Sequence, residues 1–298
     1  MQTSDGKDII PGCEPWSAEG GPQGALVLHG FTGNPQGLRG LAEAFAAAGF
    51  AVELPLLPGH GTSVDDMLDT DWDDWSAAAE AAYVGLAARC ERIVVAGLSM
   101  GGTLTAWLGI RHPEIAGLVC VNPAMEVPDE MVTAVGDLVA AGTDRIPAIG
   151  NDVADPAARE KAYDATPLRP LLSLGEAAGA VRQDLAKIAC PVLILTSPQD
   201  HVVPPGNSDL LAEGVTGPVE RVTLERALTH GCADAEAAVR GLQRAQLRNA
   251  VYVDQRGGTH EPHVQQGHET LAAGQHPGVA GVALEQRHGF VQRVGAEV

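Results

Sequence analysis

One stretch, Val94-Val95-Ala96-Gly97-Leu98-Ser99-Met100-Gly101-Gly102, constrains what this chain can fold into more than any other. A β-branched apolar strand runs in, a G-x-S-x-G turn follows, and an apolar helical segment runs out. A turn that sharp crowds neighbouring backbone, so Gly97 and Gly101 stand where a Cβ would collide. Ser99 is then carried to the edge of a sheet with its hydroxyl outward. It also heads a helix, whose dipole favours negative charge developing there.

The same strand-turn-helix rhythm recurs along the chain. Ala25-Leu26-Val27-Leu28 ends in His29-Gly30, and a helical pattern over 38–48 stops at Gly49, where a C-terminal glycine belongs. Ala51-Val52-Glu53-Leu54 leads into a loop carrying Pro55, Pro58, Gly59 and Gly61. Asp71, Asp73 and Asp74 precede a helix predicted over 75–88, placing negative charge at its N-terminus. Arg92-Ile93-Val94-Val95-Ala96, Leu118-Val119-Cys120-Val121, Val192-Leu193-Ile194-Leu195 and residues 219–224 supply further strands. Apolar strands alternating with helices predict an α/β fold, a mostly parallel sheet with helices on both faces. Between Asn122 and about Asp184 the rhythm breaks, with Pro123, Pro128, Pro147, Pro156, Pro167 and Pro170 separating short helical pieces, one over 131–141. A connection that long predicts a small helical cap inserted at about 123–185.

Charge narrows the function. Of 298 residues, 38 are Asp or Glu and 19 are Lys or Arg, for a net charge of −19. So negative a surface repels phosphates and anionic lipid faces, and no nucleic-acid partner is expected. No apolar run approaches the roughly 18 residues of a membrane-crossing helix, and no basic-then-apolar leader opens the sequence. Integral membrane association is therefore not expected. Five cysteines, widely spaced and never in a C-x-x-C pair, fit reduced thiols in a cytoplasmic protein better than a disulfide or zinc scaffold. Residues 241–298 are a different kind of polypeptide: five acidic residues balance five arginines, five of the ten histidines gather there, and no period is readable from 256 to 286. The chain divides into one domain over 1–240 and a divergent C-terminal segment over 241–298.

A serine hydroxyl needs a base, the base needs an orienting acid, and the oxyanion needs donors. The Met100 amide, next after the serine, is one donor; the turn His29-Gly30-Phe31-Thr32-Gly33 offers the other, assigned to Phe31. His29 reads as a supporting residue rather than the base. Asp200 follows the strand Ile194-Leu195-Thr196, where catalytic groups collect in open α/β sheets. His201 is adjacent to it in sequence and points away. His230 lies between Asp200 and the tail, so the chain order Ser…Asp…His selects it, whereas His60 and His112 come too early. The alternatives His260, His263, His268, His276 and His288 sit in a stretch without framework. Thr259-His260-Glu261-Pro262-His263 is not H-E-x-x-H, and no P-loop lysine follows the glycines, so neither a metal nor an organic cofactor is called for.

With these residues in place, the chain resembles α/β-hydrolases of the bacterial carboxylesterase and monoacylglycerol lipase type. The likeness is carried by His29-Gly30-Phe31-Thr32-Gly33-Asn34, Pro58-Gly59-His60-Gly61, Gly97-Leu98-Ser99-Met100-Gly101-Gly102 and Asp200-His201-Val202-Val203-Pro204, over about 24–226. It implies a triad of Ser99, Asp200 and a histidine, an oxyanion hole from the Phe31 and Met100 amides, and hydrolysis of a small ester substrate whose acyl chain enters an apolar tunnel. Met125, Met131, Val135, Leu138, Leu171 and Leu172 are candidates to line that tunnel or simply to pack the core. After Arg226 the sequence departs from the family's pattern. No serine precedes the histidine, which stands one position late, and Gly231 takes the place of a valine. A shifted reading frame or a divergent extension accounts for the segment. Thioester cleavage or acyl transfer at the same site is the alternative enzyme, and a ligand-binding homologue without a placed histidine is the alternative outside catalysis.

Overall fold

The computed structural model describes residues 1–148 and 161–224. Seven strands form one sheet: β1 (Trp16–Ala18), β2 (Gln23–Leu28), β3 (Ala51–Leu54), β4 (Arg92–Leu98), β5 (Gly117–Val121), β8 (Val192–Thr196) and β9 (Val219–Thr223), ordered β1-β3-β2-β4-β5-β8-β9. All neighbouring pairs run parallel except β1 against β3. The expected mostly parallel sheet is therefore present. The antiparallel edge strand, three residues long, is too short to show a period.

The central strands read as unbroken apolar runs because both faces are covered. Leu26, Leu28, Val95, Cys120 and Ile194 point to one core, with Trp75, Leu86, Leu104, Leu108 and Leu211 from the helices. Their sequence neighbours Val27, Val94, Val119 and Leu193 point to a second core, shared with Leu38, Leu41 and Phe45. Among the described residues, α1 (Pro35–Ala47) lies on the second face, and α3 (Trp72–Ala87), α4 (Met100–Arg111) and α7 (Gly206–Gly214) on the first. No described helix is long and apolar enough to cross a membrane.

Two helices begin three residues before the apolar period does, because capping chemistry sets their starts. Asn34 accepts the Gln36 amide at 2.9 Å, with Pro35 in the first turn. Asp71 accepts the amides of Asp73 and Asp74, and the Asp74 carboxylate returns to the Asp71 amide, closing a capping box. A short helix, α2 (Val64–Leu68), fills the loop before α3. Between β5 and β8 stand α5 (Asp129–Ala140), the antiparallel pair β6 (Arg145–Pro147) and β7 (Ala165–Pro167), and α6 (Leu168–Gln183). α6 is longer than the prolines suggest, since Pro170 falls in its first turn, where no intrahelical N–H is lost.

Register levels the strand exits. Leu28 sits beside Gly97, Leu98 beside Val121, and Val121 beside Leu195. The residues that follow β2, β4, β5 and β8 therefore share one edge. Helix α4 meets that edge with almost no clearance. A Cβ on Gly97 would lie 2.0 Å from the Gly101 carbonyl oxygen, and one on Gly101 would lie 2.0 Å from that of Leu28. Gly40, in the middle of α1, has open space instead. Gly101→Ala is therefore expected to cost about 3 kcal/mol in urea unfolding, as overpacking against backbone. Gly40→Ala should gain about 1 kcal/mol from helix propensity. Equal effects at the two positions would contradict the crossing described.

Candidate active site

Ser99 sits between β4 and α4 with φ 54° and ψ −115°, a left-handed conformation strained for a residue with a side chain. Its surroundings over-determine it. The Ser99 amide donates to the Val121 carbonyl at 3.0 Å, and its own carbonyl accepts from Gly102, Thr103 and Ala124 at 2.8, 3.2 and 3.2 Å. Its side chain makes no capping bond to α4, so the half-buried hydroxyl is not spent on the helix.

The turn after β2 lies directly alongside. A Cβ built on Gly30 would be 3.5 Å from the Ser99 Cβ. Phe31 and Met100 thus flank the serine, one after each strand. Among the described residues neither amide has a hydrogen-bond acceptor. Two free amides beside a serine at a helix N-terminus can stabilise a negatively charged oxygen, and losing one such donor typically costs about 10²–10³ in turnover.

A block of rings holds that turn. His29 donates from Nδ1 to the Gly30 carbonyl at 3.0 Å and accepts the Leu57 amide on Nε2 at 3.1 Å. His60 donates from Nδ1 to the Pro58 carbonyl at 2.9 Å, which also accepts Trp75 Nε1 at 3.1 Å. The Phe31 ring stands edge-to-face on Trp75 at 5.8 Å and on His60 at 6.5 Å; His60 stands on His29 at 4.9 Å. Burial pushes the His29 imidazole down to about 4; burial and the neighbouring His29 push His60 down to about 3. Both rings are therefore neutral at pH 7, and His29 braces the turn, in line with its supporting role. Trp75, in the first turn of α3, is fully buried against this turn.

Asp200 follows β8 and is 8% exposed. Its Oδ1 accepts the amides of Val202 and Val203 at 2.8 and 2.7 Å, which fixes the carboxylate in its turn. β8 lies two strands from β4, about 10 Å at the usual strand spacing, too far for direct contact between carboxylate and serine. A ring between them fits that gap. His230 lies outside the described residues, as do the tail histidines. His201 is exposed. His112 closes the far end of α4, about 20 Å from Ser99 by helical rise. It is held there by Glu80 at 2.8 Å and Glu114 at 3.1 Å. No His, Cys, Asp and Glu cluster among the described residues has the geometry of a metal site.

Asn122 escaped the sequence reading. It takes φ 41° directly after β5, and its Oδ1 accepts the Ser197 amide at 2.7 Å, tying the β5 exit to the β8 exit. The available signal was an asparagine, which tolerates left-handed backbone, ending an apolar strand.

The two neutral histidines make stability depend on pH. Unfolded, each ring takes up a proton near 6.5; folded, the rings resist until about 4 and about 3. Between those limits the unfolded state binds more protons, so stability falls as pH drops below 6.5. From pH 7 to pH 5 the loss is about 2 kcal/mol per ring. Urea unfolding across that range should show it, and His60→Gln should flatten the slope. A wild-type stability constant from pH 7 to 5 would contradict the neutral pair.

Comparison with known proteins gives the family and the fold. The family model for serine aminopeptidase, S33 (Hydrolase_4) matches residues 22–234. The chain is 43% identical over 224 residues to the thermostable monoacylglycerol lipase of Bacillus sp. (strain H-257), spanning 74% of this chain and 88% of that one. It is 28% identical over 191 residues to the carboxylesterase of Bacillus subtilis (strain 168), spanning 64% and 77%. Among solved structures, one of the metagenome-derived lipolytic enzymes LipS and LipT superposes with a TM-score of 0.76 at 35% identity, over 80% of this chain and 99% of that one. The monoacylglycerol lipase of Paleococcus ferrophilus shares the fold, with a TM-score of 0.62 at 20% identity, over 78% and 99%. A strained serine between β4 and α4, on a sheet of this order and with these relatives, means that the chain belongs to the serine aminopeptidase S33 family as an α/β-hydrolase of the lipase and esterase type.

Proposed function

We propose that this protein hydrolyses carboxylic esters, short- to medium-chain acyl esters or monoacylglycerols, through an acyl-enzyme on Ser99. His230 takes the Ser99 proton as Oγ attacks the ester carbonyl, and Asp200 orients the imidazole and stabilises its charge. The carbonyl oxygen, now negative, faces the Phe31 and Met100 amides. Collapse breaks the bond to the alcohol, which leaves with the proton that His230 carries. Water, deprotonated by the same ring, then attacks the acyl carbon, and Ser99 departs reprotonated with the acid released.

The observation that carries this reading is the strained Ser99 turn with two amides beside it that lack acceptors among the described residues. The family match adds weight, since residues 22–234 contain all five proposed site residues and stop short of the tail. A cap over about 123–185 suits an acyl substrate. Met131, Leu138, Leu171 and Leu172 are only half-buried, whereas Met125 and Val135 are packed away. In this reading 1–240 is the hydrolase domain, 241–298 contributes no catalytic group, and the reaction takes place in the cytoplasm.

A fluorophosphonate probe, with peptide mapping and p-nitrophenyl ester turnover, tests the proposal. Wild-type protein should be labelled at Ser99, and Ser99→Ala should abolish both signals. Asp200→Asn should lower kcat by about 10⁴ and His230→Gln by about 10⁶. Gln at each tail histidine should leave turnover within about twofold. Folded wild-type protein that leaves the probe unreacted would refute hydrolysis and favour a pocketed binding protein. A tail variant that alone abolishes turnover would move the base from His230.

A further inference from the structure

Asn207 lies in the first turn of α7, 5% exposed, yet its side chain does not serve that helix. Its Oδ1 accepts two consecutive amides from across the sheet edge, Met125 and Glu126, both at 2.7 Å. Its Nδ2 donates to the Pro204 carbonyl at 3.1 Å, which also accepts the Asn207 amide at 2.9 Å. One buried side chain thus joins two segments 82 residues apart.

Each segment ends at a proposed catalytic group. On one side, the neighbouring Ala124 amide donates to the Ser99 carbonyl at 3.2 Å, and the Ala124 carbonyl accepts from Thr103 Oγ1 of α4 at 2.6 Å. On the other, Pro204 follows Val202 and Val203, whose amides hold the Asp200 carboxylate. Asn122 fastens the same two segments closer to the sheet through the Ser197 amide. The stem over 124–126 continues as Glu126, paired with Arg182 of α6, so it is anchored outward as well.

We infer that Asn207 is a positioning residue that fixes the distance and tilt of Asp200 relative to Ser99 by clamping the acid's turn onto the stem that touches the serine. The inference rests on the ester-hydrolase reading for its catalytic meaning, but not for the clamp itself. A shift of about 1 Å in a catalytic group costs up to about 10² in rate, which sets the expected scale.

Two measurements on the full chain test it: ester kinetics with fluorophosphonate labelling, and peptide-resolved hydrogen exchange. Asn207→Ala should lower kcat about 10–100-fold with KM within about threefold, slow labelling in step, and loosen 124–126 and 200–204 together. Asn207→Asp, which keeps the oxygen for both amides and adds a charge the helix N-terminus tolerates, should recover most of kcat. If Asn207→Ala does not fold, Asn207→Ser, polar but one atom short of both amides, should give the same pattern at smaller amplitude. Wild-type kcat and labelling in the alanine variant, or loosening confined to α7, would overturn the inference. A wild-type protein that hydrolyses nothing and is not labelled would defeat the hydrolase reading alone. Exchange would then decide the clamp, with joint loosening upholding it and its absence removing it.

Discussion

The structure depends on one close approach, that of α4 to β2 and β4, made without side chains. At Gly97 and Gly101 backbone meets backbone at distances no Cβ could occupy, and at Gly102 an added Cβ would lie 2.9 Å from Pro123. Because the helix is pressed so near, the residue linking strand to helix has no room for ordinary backbone, and Ser99 takes a positive φ. Strain of this kind costs on the order of 1–3 kcal/mol and persists only where neighbours enforce it. Here four backbone hydrogen bonds through Ser99 do so. The same crossing sets the serine beside the β2 exit, so the two amides flanking it follow from packing rather than from a separate device.

Around that point the protein uses neutral groups where charges would be costly. His29 and His60 are buried in contact with each other, and each bonds a carbonyl through Nδ1. A positive charge on either would need a counter-ion that the block of Phe31, Trp75 and His60 does not contain. Kept uncharged, the rings set the turn rigidly while leaving the field at the serine to amide dipoles and the helix. A net charge of −19 repels anionic ligands and leaves neutral ones unsteered.

Much of this was legible in the residues, for reasons that also explain what was not. The central strands are continuous apolar runs, and the serine's turn is named by its glycines, so sheet and nucleophile position follow from local sequence. The starts of α1 and α3 are displaced by three residues because Asn34, Pro35 and Asp71 contribute capping, which no apolar period reports. Trp75 gave only a hydrophobic signal; that it lies under Phe31 is a contact between distant segments. Asn122 and Asn207 are ordinary polar residues in sequence, and their roles arise only when strand exits are brought level. His230 is the opposite case: chain order proposes it, and the described residues do not reach it.

The central claim is that charge developing on a bound carbonyl oxygen at Ser99 is met by the Phe31 and Met100 amides. A crystal structure of the phosphonylated protein measures this directly, because the phosphonyl oxygen occupies the place of the tetrahedral oxyanion. The account predicts that oxygen about 2.7–3.1 Å from both amide nitrogens, with an imidazole within hydrogen-bond reach of Ser99 Oγ. An adduct whose oxygen turns to solvent, or meets neither amide, would contradict it.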